Sequence, residues 1–209
     1  MSKNMAWPTL VVVVVGVLVL IGFINKKDNQ NNIMNEVNTA TTTTDNYETN
    51  PVAVFETNQG NFEVELQTDK TPITSGNFVK LVQAGFYDGT RFHRVIKGFM
   101  IQGGDPNTKS DPNNFAIHGT GGPGYAIEDE FVAGQSNMRG TISMANSGPN
   151  SGGSQFFINL VDNTYLDGKH AVFGKVINGM EVVDKIGNIA TVPGDRPAEA
   201  VMVTKVTIR

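Results

Sequence analysis

Glycine is spread so unevenly along this chain that it separates parts with different folding prospects. Of the 23 glycines, 21 fall after residue 50, where they make up about 13% of positions against an ordinary ~7%. So many flexible positions favour short strands joined by tight turns over a helical bundle. The apolar runs agree. Val52–Thr57 and Phe62–Leu66 read as strands joined by the hairpin turn Asn58-Gln59-Gly60-Asn61, and the second alternates apolar with acidic side chains. Further runs lie at Phe92–Ile96, Phe99–Gln102, Thr141–Ala145, Gln155–Leu160, Ala171–Ile177 and Val201–Ile208, separated by Gly-, Asn- and Pro-rich loops. Thr71-Pro72 opens a helix, with Thr as N-cap and Pro in the first turn, which Gly85 ends. A second helix fits Met180–Ile186, ending at Gly187. Without βαβ alternation, residues 51–209 predict a mainly β domain, an antiparallel barrel or sandwich with helical caps.

The first 50 residues follow other rules. No charged side chain occurs from Asn4 to Asn25, and Leu10–Ile24 is almost purely aliphatic. As a helix rising about 1.5 Å per residue, residues 5–24 would cross the ~30 Å hydrocarbon core of a bilayer. A cleaved signal peptide is the competing reading, and it needs small residues just after the apolar run. Here the run passes into Phe23-Ile24-Asn25-Lys26-Lys27, so residues 1–24 are expected to remain as an uncleaved anchor in the lipid bilayer. Lys3 and the α-amine nearly balance Lys26 and Lys27 across the span, and the absence of Cys suits an oxidising exterior. The expected location is therefore the membrane, with a single N-terminal pass and the folded domain outside the cytoplasm. Asn and Thr dominate residues 25–50, which read as a disordered linker because they cannot bury enough apolar area to offset ordering entropy.

Several kinds of chemistry are poorly served. Sixteen Lys and Arg against 20 Asp and Glu give a net charge of −4, which argues against nucleic acid as a partner. With no Cys, disulfides and thiolate chemistry are excluded, and the three histidines, His93, His118 and His170, show no metal-ligand spacing. Gly119-Thr120-Gly121-Gly122-Pro123-Gly124 lacks the Lys-Ser/Thr ending of a phosphate loop. No serine stands in a G-x-S-x-G elbow, and Glu128-Asp129-Glu130 reads as a solvated turn.

One stretch is unusual. Phe92-His93-Arg94-Val95-Ile96-Lys97-Gly98-Phe99-Met100-Ile101-Gln102-Gly103-Gly104-Asp105 sets an Arg and a Gln on two short strands. On simple alternation Arg94 shares a face with Phe92 and Ile96, among apolar neighbours, as a paired core charge or a functional donor. With GTGGPGY, SMANSGPNSGGSQFFI and YLDGKHAVFGKV, this stretch resembles the cyclophilin-type peptidyl-prolyl cis-trans isomerases over residues 52–208. The resemblance implies a closed eight-stranded antiparallel β-barrel capped by two α-helices. It also implies catalytic roles for Arg94, Gln102 and His93. The proline pocket would be Phe99, Met100, Phe157 and Leu166, with His170 at its rim, and substrate-backbone contacts would come from Ala145, Asn146 and Gln155. Tyr165 stands where many eukaryotic members carry Trp, implying weak cyclosporin binding, and Lys97 stands where many have Pro.

The implied activity needs no metal or cofactor, because rotation about an X–Pro bond makes and breaks no covalent bond. Together these readings lead to the expectation of a membrane-tethered, monomeric isomerase acting on proline-containing polypeptides that are exported or at the surface. A proline-peptide-binding or chaperone module on the same fold is the alternative, and the presence of Arg94 favours the enzyme, since holding a proline ring needs only the pocket.

Overall fold

The computed structural model describes residues 49–209, so the expected anchor and nearly all of the expected linker lie outside the described residues. Among the described residues, no helix is long and apolar enough to cross a membrane. The chain runs β1 (Val52–Thr57), β2 (Gly60–Leu66), α1 (Pro72–Gln83), β3 (Arg91–Phe92), β4 (Arg94–Ile96), β5 (Met100–Gly103) and the single turn α2 (Asn107–Ser110). It continues through β6 (Thr141–Met144), β7 (Phe156–Asn159), β8 (Val172–Asn178), α3 (Met180–Gly187), β9 (Thr191–Val192), β10 (Arg196–Pro197) and β11 (Val201–Ile208).

One antiparallel sheet carries the order β3-β11-β1-β2-β8-β6-β7-β5-β4, and β9 and β10 form a separate ribbon. Its two ends, β3 and β4, are consecutive pieces of chain with only His93 between them. The sheet therefore returns on itself as a nearly closed barrel. Counting β3 and β4 as one interrupted strand gives the eight expected from the sequence. Two long helices, α1 and α3, also match, and the one-turn α2 adds a third that local composition did not announce.

The barrel is filled from the inward faces. In β2, Phe62, Val64 and Leu66 are buried, while Glu63 and Glu65 point away, so the apolar–acidic alternation sets which face is core. Phe55 stacks on Phe62 at 4.6 Å between centroids, and Phe78 of α1 meets Phe156 edge-on at 5.7 Å. Each such ring contributes roughly 1.5–3 kcal/mol by leaving water.

Helix α1 starts as expected but is capped differently. Thr71 directs its hydroxyl back to Gln67 O at 3.0 Å and makes no side-chain cap. The carboxylate of Glu130 takes that role, accepting from the N–H groups of Ile73 at 3.1 Å and Thr74 at 2.5 Å. The acidic cluster is therefore no mere solvated turn. A negative charge at a helix N-terminus satisfies orphan donors and opposes the dipole. At the other end Gly85 adopts φ +65°, the left-handed conformation that stops a helix.

Candidate active site

The site is built around a β-bulge. His93 N–H donates to Gln102 O at 3.0 Å, while Gln102 also pairs in register with Arg94, so two residues oppose one. The extra residue breaks the alternation. Phe92 and Val95 enter the core, His93 is tucked inward, and Arg94 emerges on the outer face of the barrel. The expectation that Arg94 shares a face with Phe92 among apolar neighbours is thus corrected. Its side chain is 43% exposed, and its Nε donates to Asp195 Oδ2 at 3.3 Å. Asp195 sits in the turn joining β9 to β10 with φ +59°, and its backbone O accepts from Val95 N–H at 2.7 Å. This hairpin is therefore fastened to the strand that carries Arg94. Sequence reasoning missed Asp195, which lies 101 positions from Arg94. Gly194-Asp195 signals only a turn.

Across β4, β5, β7 and β6 the outer face reads Arg94, Gln102, Phe157 and Ser143 in register, with Ile96, Met100 and Asn159 in the next row. Met100 and Phe157 are buried, yet neither belongs to the barrel core; they form a second apolar surface outside it. The His170 ring meets Phe157 edge-on at 5.2 Å, and its Nδ1 lies 3.0 Å from Met144 O. Phe99 stacks on Tyr165 at 6.2 Å, and Leu166 ends the 3-10 turn Thr164–Leu166 beside them. Tyr165 is 61% exposed, which makes it the outermost of these rings.

Beneath that apolar patch lies a buried amide network that the sequence did not signal. Asn163 Nδ2 donates to Asn159 Oδ1 at 2.8 Å and to Phe99 O at 3.0 Å. Ser143 Oγ donates to Asn137 Oδ1 at 2.7 Å, and Asn137 N–H reaches Asp167 Oδ1 at 2.8 Å. These bonds tie the loop bearing Tyr165, Leu166 and His170 to β5, β6 and β7.

A cleft of about 430 Å³ opens beside Gln102, with Ala145, Asn146 and Gln155 among its walls. Gln102 Nε2 donates to Gln155 Oε1 at 3.0 Å, and Gln155 Nε2 donates to Gly119 O at 2.9 Å and Gly121 O at 2.8 Å. Asn146 is fixed by donation to Lys169 O at 2.7 Å. The glycine-rich loop is held in turn by the buried carboxylate of Asp105, whose Oδ2 accepts from Gly119 N–H and whose Oδ1 accepts from Asn107 N–H at 2.7 Å. A Cβ at Gly121 would overlap Asp105 Oδ1, so the loop cannot close over the carboxylate with any larger residue there. A run that looks like a failed phosphate loop is therefore a scaffold for Gln155.

The structure brings the sequence-derived site residues together on and around this face, with His93 lining a neighbouring cleft beside Arg94 and Gln102. The His93 ring is 8% exposed, and neither of its nitrogens is hydrogen-bonded among the described residues. No cluster of potential metal ligands occurs among the described residues.

The family model for "Cyclophilin type peptidyl-prolyl cis-trans isomerase/CLD" matches residues 52–208. The chain is 46% identical over 154 residues to peptidyl-prolyl cis-trans isomerase-like 1 of Neurospora crassa, covering 73% of this chain and 91% of that one. It is also 46% identical over 158 residues to an Arabidopsis thaliana peptidyl-prolyl cis-trans isomerase, CYP18-1, covering 73% and 92%. Among solved structures it resembles a cyclophilin-type peptidyl-prolyl cis-trans isomerase of Cryptosporidium parvum, with TM-score 0.70 and 33% identity over 77% of this chain and 98% of that one. The same Cryptosporidium protein crystallised in the presence of the dipeptide Ala-Pro gives TM-score 0.68.

The buried His93 links the site to pH. Burial lowers its pKa from 6.5 to about 4, with Asp105 opposing the shift only in part. The unfolded chain therefore takes up this proton at a higher pH than the folded one. Stability contributed by the neutral ring is complete above the unfolded pKa of 6.5 and is lost as pH falls toward 4, by roughly 3 kcal/mol in all. Urea unfolding between pH 4 and 8 should show this decline, and His93→Gln should flatten it whatever its absolute stability. Identical pH slopes for the two proteins would exclude His93 as the source.

Proposed function

The chain belongs to the cyclophilin-type peptidyl-prolyl cis-trans isomerase family, and from that premise we propose which of its residues drive the rotation and which clients it serves. It is a cyclophilin-type peptidyl-prolyl cis-trans isomerase. The reaction turns an X–Pro amide through a barrier of ~18–20 kcal/mol set by its partial double bond. Since no bond is made or broken, the protein must fit the twisted amide better than either planar isomer. As the amide twists, resonance is lost and the proline nitrogen becomes a hydrogen-bond acceptor, so a fixed donor aimed there acts chiefly in the transition state.

The observation that carries the assignment is the guanidinium of Arg94 on the open face, paired through Nε with Asp195, next to Gln102 and in one register row with Phe157 beyond it. With Nε engaged, the Nη groups remain for the substrate. The apolar surface of Met100 and Phe157, bordered by Phe99, Leu166 and His170, holds the proline ring, and Ala145, Asn146 and Gln155 hold the flanking backbone. His93 supports the bulge that aims Arg94, and its ring lines the cleft beside Arg94 and Gln102. The substrates are proline-containing polypeptides, a reading supported by the Ala-Pro dipeptide used with the Cryptosporidium parvum relative.

Arg94→Ala should lower kcat/KM about 10–100-fold while leaving peptide affinity nearly intact, since a charge-assisted hydrogen bond is worth ~1.5–3 kcal/mol. Arg94→Lys should recover little, because an ammonium lacks the planar fork that Asp195 grips. Phe157→Ala should weaken binding as well. Exchange NMR on an X–Pro peptide reads these quantities, with circular dichroism confirming the fold. A folded Arg94→Ala protein as fast as the parent would leave a proline-binding or chaperone module instead.

The uncharged stretch from Asn4 to Asn25 supports tethering of the enzyme to a membrane, where it would act on exported or surface proteins. Full-length protein should resist carbonate extraction from membranes, whereas a fragment starting near Pro51 should be soluble, active and monomeric by size exclusion. Cellular protein whose mature chain starts after residue 25 would refute the anchor.

Tyr165 supports weak cyclosporin binding, because an indole N–H at this position could donate to a partner that the phenol hydroxyl, placed differently, does not reach. Tyr165→Trp should then tighten cyclosporin binding about two- to tenfold by calorimetry. Equal affinities would show that this position does not control the inhibitor.

A further inference from the structure

A second cleft, of about 300 Å³, adjoins the Asn146 cleft, with Gln102 and Gly119 lining both and Arg94 lining the second alone. Its walls include Arg94, Arg196, His118, the Phe115 ring and the Pro193-Gly194 turn, and no carboxylate lines it. That is unusual in a chain whose net charge is −4. The nearby acids are already engaged. Asp195 is paired with Arg94, Asp105 is buried between the N–H groups of Gly119 and Asn107, and Asp111 accepts from the Asn114 amide. The guanidinium of Arg196 lies 3.8 Å from the centroid of the Phe115 ring, and it makes no ion pair among the described residues.

Stacking on an aromatic face fixes the plane of a guanidinium while leaving its N–H edge free. An oriented, unpaired cation in a concave wall suits an acidic side chain. The position of the wall decides where that side chain must lie. Val95 N–H bonds to Asp195 O at 2.7 Å, so Arg196, one residue on, stands beside the strand that carries Arg94. An extended peptide advances about 3.3 Å per residue, which puts the cleft within one to three residues of a proline held at Phe157.

Resting on the isomerase reading above, we propose that this cleft is a specificity subsite, in which Arg196 selects X–Pro segments carrying Asp or Glu one to three residues from the proline, on the side away from Asn146. The selection is one-sided. Acidic residues on the Asn146 side meet backbone carbonyls and neutral amides and gain nothing comparable.

The test uses the full-length protein and blocked X–Pro peptides with Glu two residues before or two residues after the proline, each with a Gln counterpart. NMR titration gives affinity, and exchange spectra of the same samples give the rate. In one of the two placements, and only one, Glu should bind about two- to fivefold more tightly than Gln at low ionic strength. The preference should fade in added salt, and Arg196→Gln should abolish it while binding and turning over the Gln peptides like the parent. Should Arg196→Gln misfold, the salt response of the parent still decides. Equal affinity for Glu and Gln in both placements, or a preference that survives salt or Arg196→Gln, overturns the subsite. Failure of the isomerase reading shows separately, as no acceleration of exchange for any peptide.

Discussion

The bulge at His93 is the constraint on which barrel and site both depend. It spends one extra residue opposite Gln102, and that residue does three things at once. It divides a strand into β3 and β4, so that one piece pairs with β11 and the other with β5, bringing the sheet around on itself. It keeps both Phe92 and Val95 in the core, which strict alternation would forbid. It also throws Arg94 outward, where a guanidinium can be half-solvated and still be fixed. An Arg at an inward position would have to be fully desolvated, at a cost of several kcal/mol.

Precision at the open face comes from polar groups buried behind it. Asp105 is fully buried, yet two backbone N–H groups satisfy it, and the loop it pins presents Gly119 and Gly121 carbonyls to Gln155. The relay continues to Gln102, which lies opposite Arg94. On the other flank, Asn137, Asn159, Asn163 and Ser143 anchor the loop with Leu166 and His170. Each bond adds only about 1 kcal/mol net, but leaving any one of these buried groups unpaired costs ~1–3 kcal/mol. Such networks resist small displacements more than apolar contacts do, because an amide dipole tolerates little misalignment. That stiffness suits a reaction whose only catalytic resource is geometry.

What the sequence disclosed, and what it withheld, follows from the range of the interactions. Strand and helix positions were legible because they depend on near neighbours: the alternation in Phe62–Leu66, Pro72 at a helix start, Gly85 at a helix end. The residues of the open face were legible through family resemblance, as four motifs in order. Three things were not. Glu130 caps α1 across 56 or more positions, Asp195 grips Arg94 across 101, and Asn159 meets Asn137 across 22, none of them on a periodic pattern. The face of Arg94 was misread for a related reason. Alternation assumes an unbroken strand, and the bulge becomes visible only once Gln102 is seen to oppose both His93 and Arg94.

The half-exposed state of Arg94 bears directly on how such a site can work. The Arg94–Asp195 pair is well solvated, at 43% and 46% exposure, and so contributes little to stability. On the proposed reading, a bound polypeptide covers that face and expels water. The same charge then acts in a lower effective dielectric, where its attraction for a developing lone pair grows several-fold. Asp195 biases the guanidinium toward this orientation before the substrate arrives, and covering the pair would strengthen that bias. The peptide that is to be isomerised thus completes the environment that isomerises it. If Arg94 drives the rotation and Phe157 holds the proline, as proposed, a segment too short to cover Arg94 would bind and still rotate slowly, because binding and catalysis would draw on different parts of the same face.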